Sequence, residues 1–325
     1  MKTRTAIILA SPILAGAVAL FVGAYGLTPA AVLRILAGAG DAEARSVILD
    51  IRLPRVLLAG LTGGALAVSG VTLQGVFRNP LIDSYLLGIS AGAALGCAVS
   101  IGLFPWLPLQ ASAFAGGCGA AAFTALIART QGGLNRLALV LSGVVVTALF
   151  TALLSIVKLV VEPMKLQSVV FWLMGSFSMA TWQHVRITGV GVLAGLAPIF
   201  LMRWRLNALS MGDEEATALG VNVARERLVL VAASTLAVAL AVSTCGIVGW
   251  VGLMAPHLVR MTVGPDHRRL VPLSFAGGAA LLVAADTLAR SLGNMDLPVG
   301  IITAVAGAPF FIYLMKRKGA EVWQG

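Results

Sequence analysis

Charge in this chain is confined to short clusters, and the apolar stretches between them are about as long as a bilayer is thick. A spanning helix needs roughly 20 such residues. Residues 56–77 and 137–157 each supply one span, and 84–128 supplies two, broken by Pro105, Trp106 and Pro108. Residues 187–202 supply a shorter one, and 271–289 and 299–315 the last two. Lys2 and Arg4 precede an apolar run from Thr5 to Leu27 that exceeds the core of a secretory signal, so it is read as the first span. The interval 228–259 is long for one span and short for two; two fit if Arg225, Arg227 and Arg260 snorkel and the chain turns at Gly246 to Gly249.

Composition agrees with a membrane protein. Hydrophobic residues are 59% of 325 and charged residues 11%, against roughly a quarter charged in soluble proteins. Most of the 37 glycines lie inside apolar runs, where small residues let helices approach closely. A net charge of +10 without a long Lys/Arg run is a matter of topology rather than of nucleic-acid binding. With ten spans, one side collects Lys2, Arg4, Arg78, Arg129, Arg136, Arg203, Arg205, Arg225, Arg227, Arg260, Arg268, Arg269 and the tail Lys316, Arg317 and Lys318. The positive-inside rule makes that side cytoplasmic, with both termini on it. Thr28 to Arg55 and Leu159 to Arg186 then fall outside, the second carrying Phe171, Trp172 and Trp182 in a short helix across the mouth of the bundle.

Ser210 to Asn222, SMGDEEATALGVN, places three consecutive acids in this apolar chain. Ser210 and Asp213 have the spacing of an N-cap and its N3 partner, Glu214 and Glu215 add charge at the same end, and Gly220 supplies a stop. The result is a helix of roughly two turns, too short to be stable alone in water, with Arg203 and Arg205 before it and Arg225 and Arg227 after it. It is either a solvated turn or a helix that docks on a partner. At the other side Arg52 and Arg55, in RLPR, and Arg290 lie at span ends. They are either interface anchors, with Asp286 and Arg290 in an i,i+4 ion pair, or a basic face for an acidic partner.

Several classes of chemistry are not encoded. Cys97, Cys118 and Cys245 are odd in number and far apart, and His184, His257 and His267 form no ligand-spaced pair. There is no GxxxxGK[ST] nucleotide loop. Asp83 and Asp286 are both expected near span ends, so neither reads as an intramembrane proton relay, which argues that energy enters from another subunit.

Long motifs then converge on one family. RLPRVLLAGLTGGALAVSGVTLQGVFRNPLIDSYLLGISAGAALG (52–96), GIVGWVGLMAPHLVRMTVGPDHRRLVP (246–272), and ADTLAR followed by LPVGIITAVAGAPFFIYLM (285–315) closely resemble the FecCD-type permeases. These are membrane subunits of type II ATP-binding-cassette importers for iron-siderophores, heme and vitamin B12, and the resemblance spans nearly the whole chain. It implies an all-α integral membrane protein of the bacterial inner membrane. One permease domain over residues 1–325 would have ten transmembrane helices and work as a homodimer. Two ATPase subunits and a periplasmic or lipid-anchored binding protein are the implied partners. The chain would bind no cofactor, ATP and Mg being held by the ATPase.

By the same resemblance, cytoplasmic coupling helices occupy about 206–222, so Asp213, Glu214, Glu215, Ala218, Leu219 and Gly220 form the ATPase docking surface. Arg52, Arg55 and Arg290 receive glutamates of the binding protein. Gly133, Leu134 and Asn135 form the cytoplasmic gate, where vitamin B12 members carry small hydroxyl residues instead. The helix 137–157 lines the pathway, and Ser142, Thr147 and Thr151 either face the cargo or bond back to their own helix. The function implied is import of an intact iron chelate, siderophore or heme, by alternating access. Vitamin B12 or molybdate is the alternative cargo, and an ion-coupled secondary carrier the alternative class.

Overall fold

The structure, a computed structural model, describes residues 2–23, 26–130, 133–292 and 296–322. It is helical apart from one small hairpin, and the elements follow the charge pattern. Helix α1 (Lys2–Phe21) leads to a short α2 (Pro29–Leu36), whose Thr28 cap and first-position proline make a standard helix start. α3 (Ala42–Ser46) continues through a π-helical turn, Val47–Arg52, into α4 (Leu53–Phe77). α5 (Ile89–Ala98) extends through a second π segment, Val99–Leu103, and α6 (Leu109–Ile127) follows. Strands β1 (Arg129–Thr130) and β2 (Gly133–Leu134) pair antiparallel before α7 (Arg136–Val160). Then come α8 (Pro163–Leu173), α9 (Trp182–Met211), α10 (Asp213–Ala218), α11 (Val223–Cys245), α12 (Val251–Val263), α13 (His267–Ala289) and α14 (Val299–Val322).

Among the described residues, seven helices are long and apolar enough to cross a bilayer: α1, the α3–α4 composite, α6, α7, α9, α11 and α13. Ile89–Leu103 and Val299–Leu314 are shorter apolar helices, and α12 has 13 residues. A short helix, α8, does form in this stretch and holds Phe171 and Trp172, while Trp182 opens α9 instead.

α4 is the central post, buried along nearly its whole length and packed by α13, α9, α11 and α12. Small residues make that possible. A Cβ on Gly63 would lie 2.2 Å from the Gly278 carbonyl oxygen of α13, and one on Gly278 would lie 2.3 Å from the Gly63 carbonyl oxygen. Backbone touches backbone there, the contact through which apolar helices associate in lipid.

Two non-helical segments enter the bundle and meet. After Arg78 closes α4 in a left-handed turn (φ 52°), residues 79–88 run back along it until the Ser84 hydroxyl donates to the Leu66 carbonyl at 2.8 Å. The Gly246–Gly249 turn between α11 and α12 comes to the same depth. There the Tyr85 hydroxyl donates to the Val248 carbonyl at 3.0 Å and accepts from the Val248 amide at 3.2 Å. Non-helical backbone is tolerated at membrane depth only when protein buries it or it lines a wet cavity. This corrects the expected place of Asp83, which is at mid-bundle beside Gly252 and not near a span end. Its carboxylate accepts from the Ser84 amide at 2.7 Å and has no cation among the described residues.

Candidate functional site

At one end of the bundle α9 runs unbroken through Ser210 to Met211, and only Asp213–Ala218 forms a separate helix. Two expectations change accordingly. Residues 206–211 belong to the long helix, and Ser210 caps nothing, its hydroxyl donating back to the Leu206 carbonyl at 2.7 Å. The tertiary seat of Leu206 and Leu209, both buried, carries α9 past the local cap signal. The stop is as expected. Gly220 is left-handed (φ 78°), with Gly220 N–H donating to Thr217 and Val221 N–H to Ala216, a Schellman ending. Asn222 then caps α11 by accepting from the Arg225 amide.

α10 therefore lies pinned on one side and open on the other. Ala216 and Val221 are buried, whereas Glu214, Glu215, Ala218, Leu219 and Gly220 are exposed, Leu219 at 62%. Asp213 is the pin. Its two carboxylate oxygens each accept from Arg227 Nη2 at 2.9 Å, and Arg136 Nη2 lies 3.4 Å away. Partial burial works to raise the Asp213 pKa, but the hydrogen bonds and charge of Arg227, then Arg136 and Arg78, hold it below the usual carboxylate range.

The buried Arg227 guanidinium also donates from Nη1 to the Leu134 carbonyl at 2.8 Å. Leu134 is the last residue of the hairpin, and Asn135 caps α7 by accepting from the Ala138 amide at 3.1 Å. The three residues expected at a gate are thus a strand and a helix cap, tied to α10 through one arginine. Nothing in the spacing of residues 134, 213 and 227 announces this junction; the unusual feature legible beforehand is an arginine within the first turns of an apolar helix. Of the basic tail at this end, the side chains of Arg317 and Lys318 lie outside the described residues.

At the opposite end the three expected docking arginines are all buried, Arg52 at 3% exposure and Arg55 and Arg290 at 7%. Arg52 Nη1 donates to the Leu20 carbonyl at 2.7 Å, and Arg290 Nη2 donates to the Ala19 carbonyl. These are terminal carbonyls of α1, which have no partner within their own helix and favour a cation. Arg55 takes Asp286, with Nε at 3.0 Å from one oxygen and Nη2 at 3.0 Å from the other, while its Nη1 reaches Asp296 at 2.9 Å. The expected Asp286–Arg290 pair is therefore replaced by a longer-range one, because Arg55 approaches from α4 in a fork geometry that suits a buried carboxylate. As they stand, these arginines tie α1, α4 and α13 together and do not present an open basic face.

α7 packs on α5 and α6 and leaves a bare side, with Leu137, Leu141, Val144 and Val145 more than half exposed. Ser142 is buried, Thr147 half-buried and Thr151 exposed. Among the described residues the hydroxyl that folds back on this helix is that of Ser155, onto the Thr151 carbonyl at 2.9 Å. No group of metal-ligating side chains occurs among the described residues.

Seven helices long and apolar enough to cross a bilayer, with others broken at mid-bundle around two meeting loops, define a polytopic membrane protein. Residues 10–317 match the FecCD transport family, and the chain belongs to it. It is 43% identical over 271 residues to a probable iron chelatin transport system permease protein of Helicobacter pylori, covering 83% of this chain and 82% of that one. It is 39% identical over 284 residues to the molybdate import system permease protein MolB of Haemophilus influenzae, covering 86% and 84%. The solved inward-facing conformation of an ABC transporter described as of metal-chelate type superposes with a TM-score of 0.88 at 35% identity, covering 98% of this chain and all of that one. The protein is a multi-pass permease subunit of ABC importers, a transporter component and not an enzyme.

Proposed function

We propose that this permease carries an intact iron chelate, a siderophore complex or heme, from a binding protein into the bacterial cytoplasm. Two copies would form the pathway along their shared axis, each crossing the inner membrane ten times, with α5, α12 and α14 added to the seven longer spans. The α10 end, with both termini, would be cytoplasmic. ATP and Mg would be held by two separate ATPase subunits, and this chain would bind no cofactor.

The observation that carries the mechanism is Arg227, which joins α10 to the hairpin. Glu214, Glu215, Ala218, Leu219 and Gly220 would seat in the ATPase, and Asp213 would pass their displacement through Arg227 to Leu134. Gly133, Leu134 and Asn135 would then open or close the cytoplasmic mouth and reorient α7, which carries Ser142, Thr147 and Thr151. At the outer end a binding protein would dock over Arg52, Arg55 and Arg290. Its carboxylates would reach them only as the arginines leave the α1 carbonyls and Asp286.

For the cargo, α7 has no charge between Arg136 and Lys158. An apolar and small-polar wall suits a bulky chelate whose metal is already coordinated, whereas a bare oxyanion such as molybdate calls for donors or cations along its path. Leu134 and Asn135 likewise stand where the vitamin B12 members have small hydroxyls. Asp83, at mid-bundle and without a cation partner among the described residues, is the observation that favours an ion-coupled carrier instead.

The test is ATPase activity and uptake in proteoliposomes containing this chain, its ATPase and its binding protein, comparing wild type with Glu214→Arg/Glu215→Arg. Loss of assembly or of stimulated hydrolysis is the expected result. Uptake that runs on an ion gradient without ATP and ignores those charges would overturn the importer mechanism. Competition of labelled ferric siderophore uptake by heme, vitamin B12 and molybdate then separates the cargoes.

A further inference from the structure

A groove of about 900 Å³ lies between α6 and α11. Its sides are alanine and leucine, among them Ala122, Ala125, Leu126, Leu228 and Ala232, and the small residues give it depth. Its two charged lining residues, Arg129 and Arg225, both stand at the α10 end. Both are exposed, and among the described residues no acid lines the groove with them.

The dimensions match one leaflet. Along α11, from Arg225 to Leu236, the wall rises about 16 Å at about 1.5 Å per residue, and α6 runs beside it from Cys118 to Ile127. That is close to half of a hydrocarbon core of about 30 Å. A water-soluble ligand has no reason to enter an apolar slot at membrane depth, and a neutral lipid leaves the paired cations unanswered. From this we infer that the groove is a binding site for an anionic phospholipid, its phosphate between Arg129 and Arg225 and an acyl chain along the alanine-lined walls. Basic residues between spanning helices at the membrane surface favour such headgroups.

Leu134 also lines the groove, and its carbonyl is the one held by Arg227. A seated lipid therefore backs the hairpin from the membrane side. This site stands on the membrane fold alone and does not depend on which cargo is carried.

The test is native mass spectrometry of the full-length chain in detergent, titrated with phosphatidylglycerol and with phosphatidylcholine. Phosphatidylglycerol is expected to bind on the order of tenfold more tightly, from two interfacial cations. Arg129→Gln/Arg225→Gln should lose that preference and Arg129→Lys/Arg225→Lys should keep it, which separates charge from any packing loss. Ala125→Trp/Ala232→Trp should exclude the lipid with both arginines intact. Equal retention of the two lipids by wild type, or undiminished preference in the glutamine variant, would overturn the site. So would a disulfide between two copies carrying Leu126→Cys, which would mean that protein covers the groove.

Discussion

Arg227 holds Asp213 by a pair of 2.9 Å hydrogen bonds from one nitrogen while its other terminal nitrogen holds the Leu134 carbonyl. One side chain thus joins the short acidic helix to the hairpin that precedes α7. Arg227→Gln should leave the surface of α10 unchanged, so the ATPase should still bind. Transport per ATP hydrolysed should fall by on the order of tenfold, since the push on α10 no longer reaches Leu134. Binding assays, ATPase rates and uptake on the same preparation check this, and unchanged coupling would show that the junction transmits nothing.

The same pair sets a pH dependence. The Asp213 pKa is lowered in the folded protein, so its contribution to stability is present above the ordinary carboxylate value, about 3.9, and is lost as pH falls through the lower folded value. Thermal unfolding followed from pH 7 to pH 5 should therefore show no loss from this group. Asp213→Asn should be less stable than wild type across that range, with the difference shrinking only in strong acid. A difference that already vanishes near pH 5 would contradict the lowered pKa.

Asp286 is 2% exposed and faces a buried Arg55. Removing one member of a buried ion pair typically costs about 3–5 kcal/mol, because the other charge is left without a partner. Asp286→Ala should lower the unfolding temperature strongly in detergent, while Arg55→Met/Asp286→Leu should recover much of the loss. Equal destabilisation by the single and double variants would argue that packing, not the charge pair, is at stake.

Helix contacts make a paired prediction on α4. Gly63→Ala would push a methyl into the Gly278 backbone and should destabilise by about 1–3 kcal/mol, the usual range for overpacking. Gly60→Ala meets only ordinary contacts, at 3.8 Å from Val283 and 3.9 Å from Ala279, and should be close to neutral. Similar unfolding midpoints for the two would contradict the close approach of α4 and α13.

The spanning segments were legible because bilayer thickness imposes a length on every apolar run, and α4, α7, α11 and α13 fall where the charge-free intervals do. The ambiguous interval 228–259 resolves into a full helix and a 13-residue one beginning inside the bundle. What was illegible depended on contacts between distant residues. Ser210 carries a local cap signal that the continuing apolar face of α9 overrides. Asp286 has Arg290 one turn away, yet pairs with Arg55, which is 231 residues distant in sequence. Asp83 follows a span by only a few residues, but the turn at Arg78 sends it back to mid-depth. The acidic helix and its stop were readable from Asp213 to Gly220, since caps and turns are local. The arginine that anchors it reads in the sequence as a flanking charge and a snorkelling side chain, because its partners Asp213 and Leu134 are distant in sequence.

Tyr85 and Val248 share two hydrogen bonds through one hydroxyl, and each stands in the break just before a helix, α5 or α12. A single fastener therefore serves two interrupted elements, and neither can tilt far without carrying the other or giving up both bonds together. Motion in this bundle should come in a discrete step rather than a graded flex, with the middle of the membrane as its pivot.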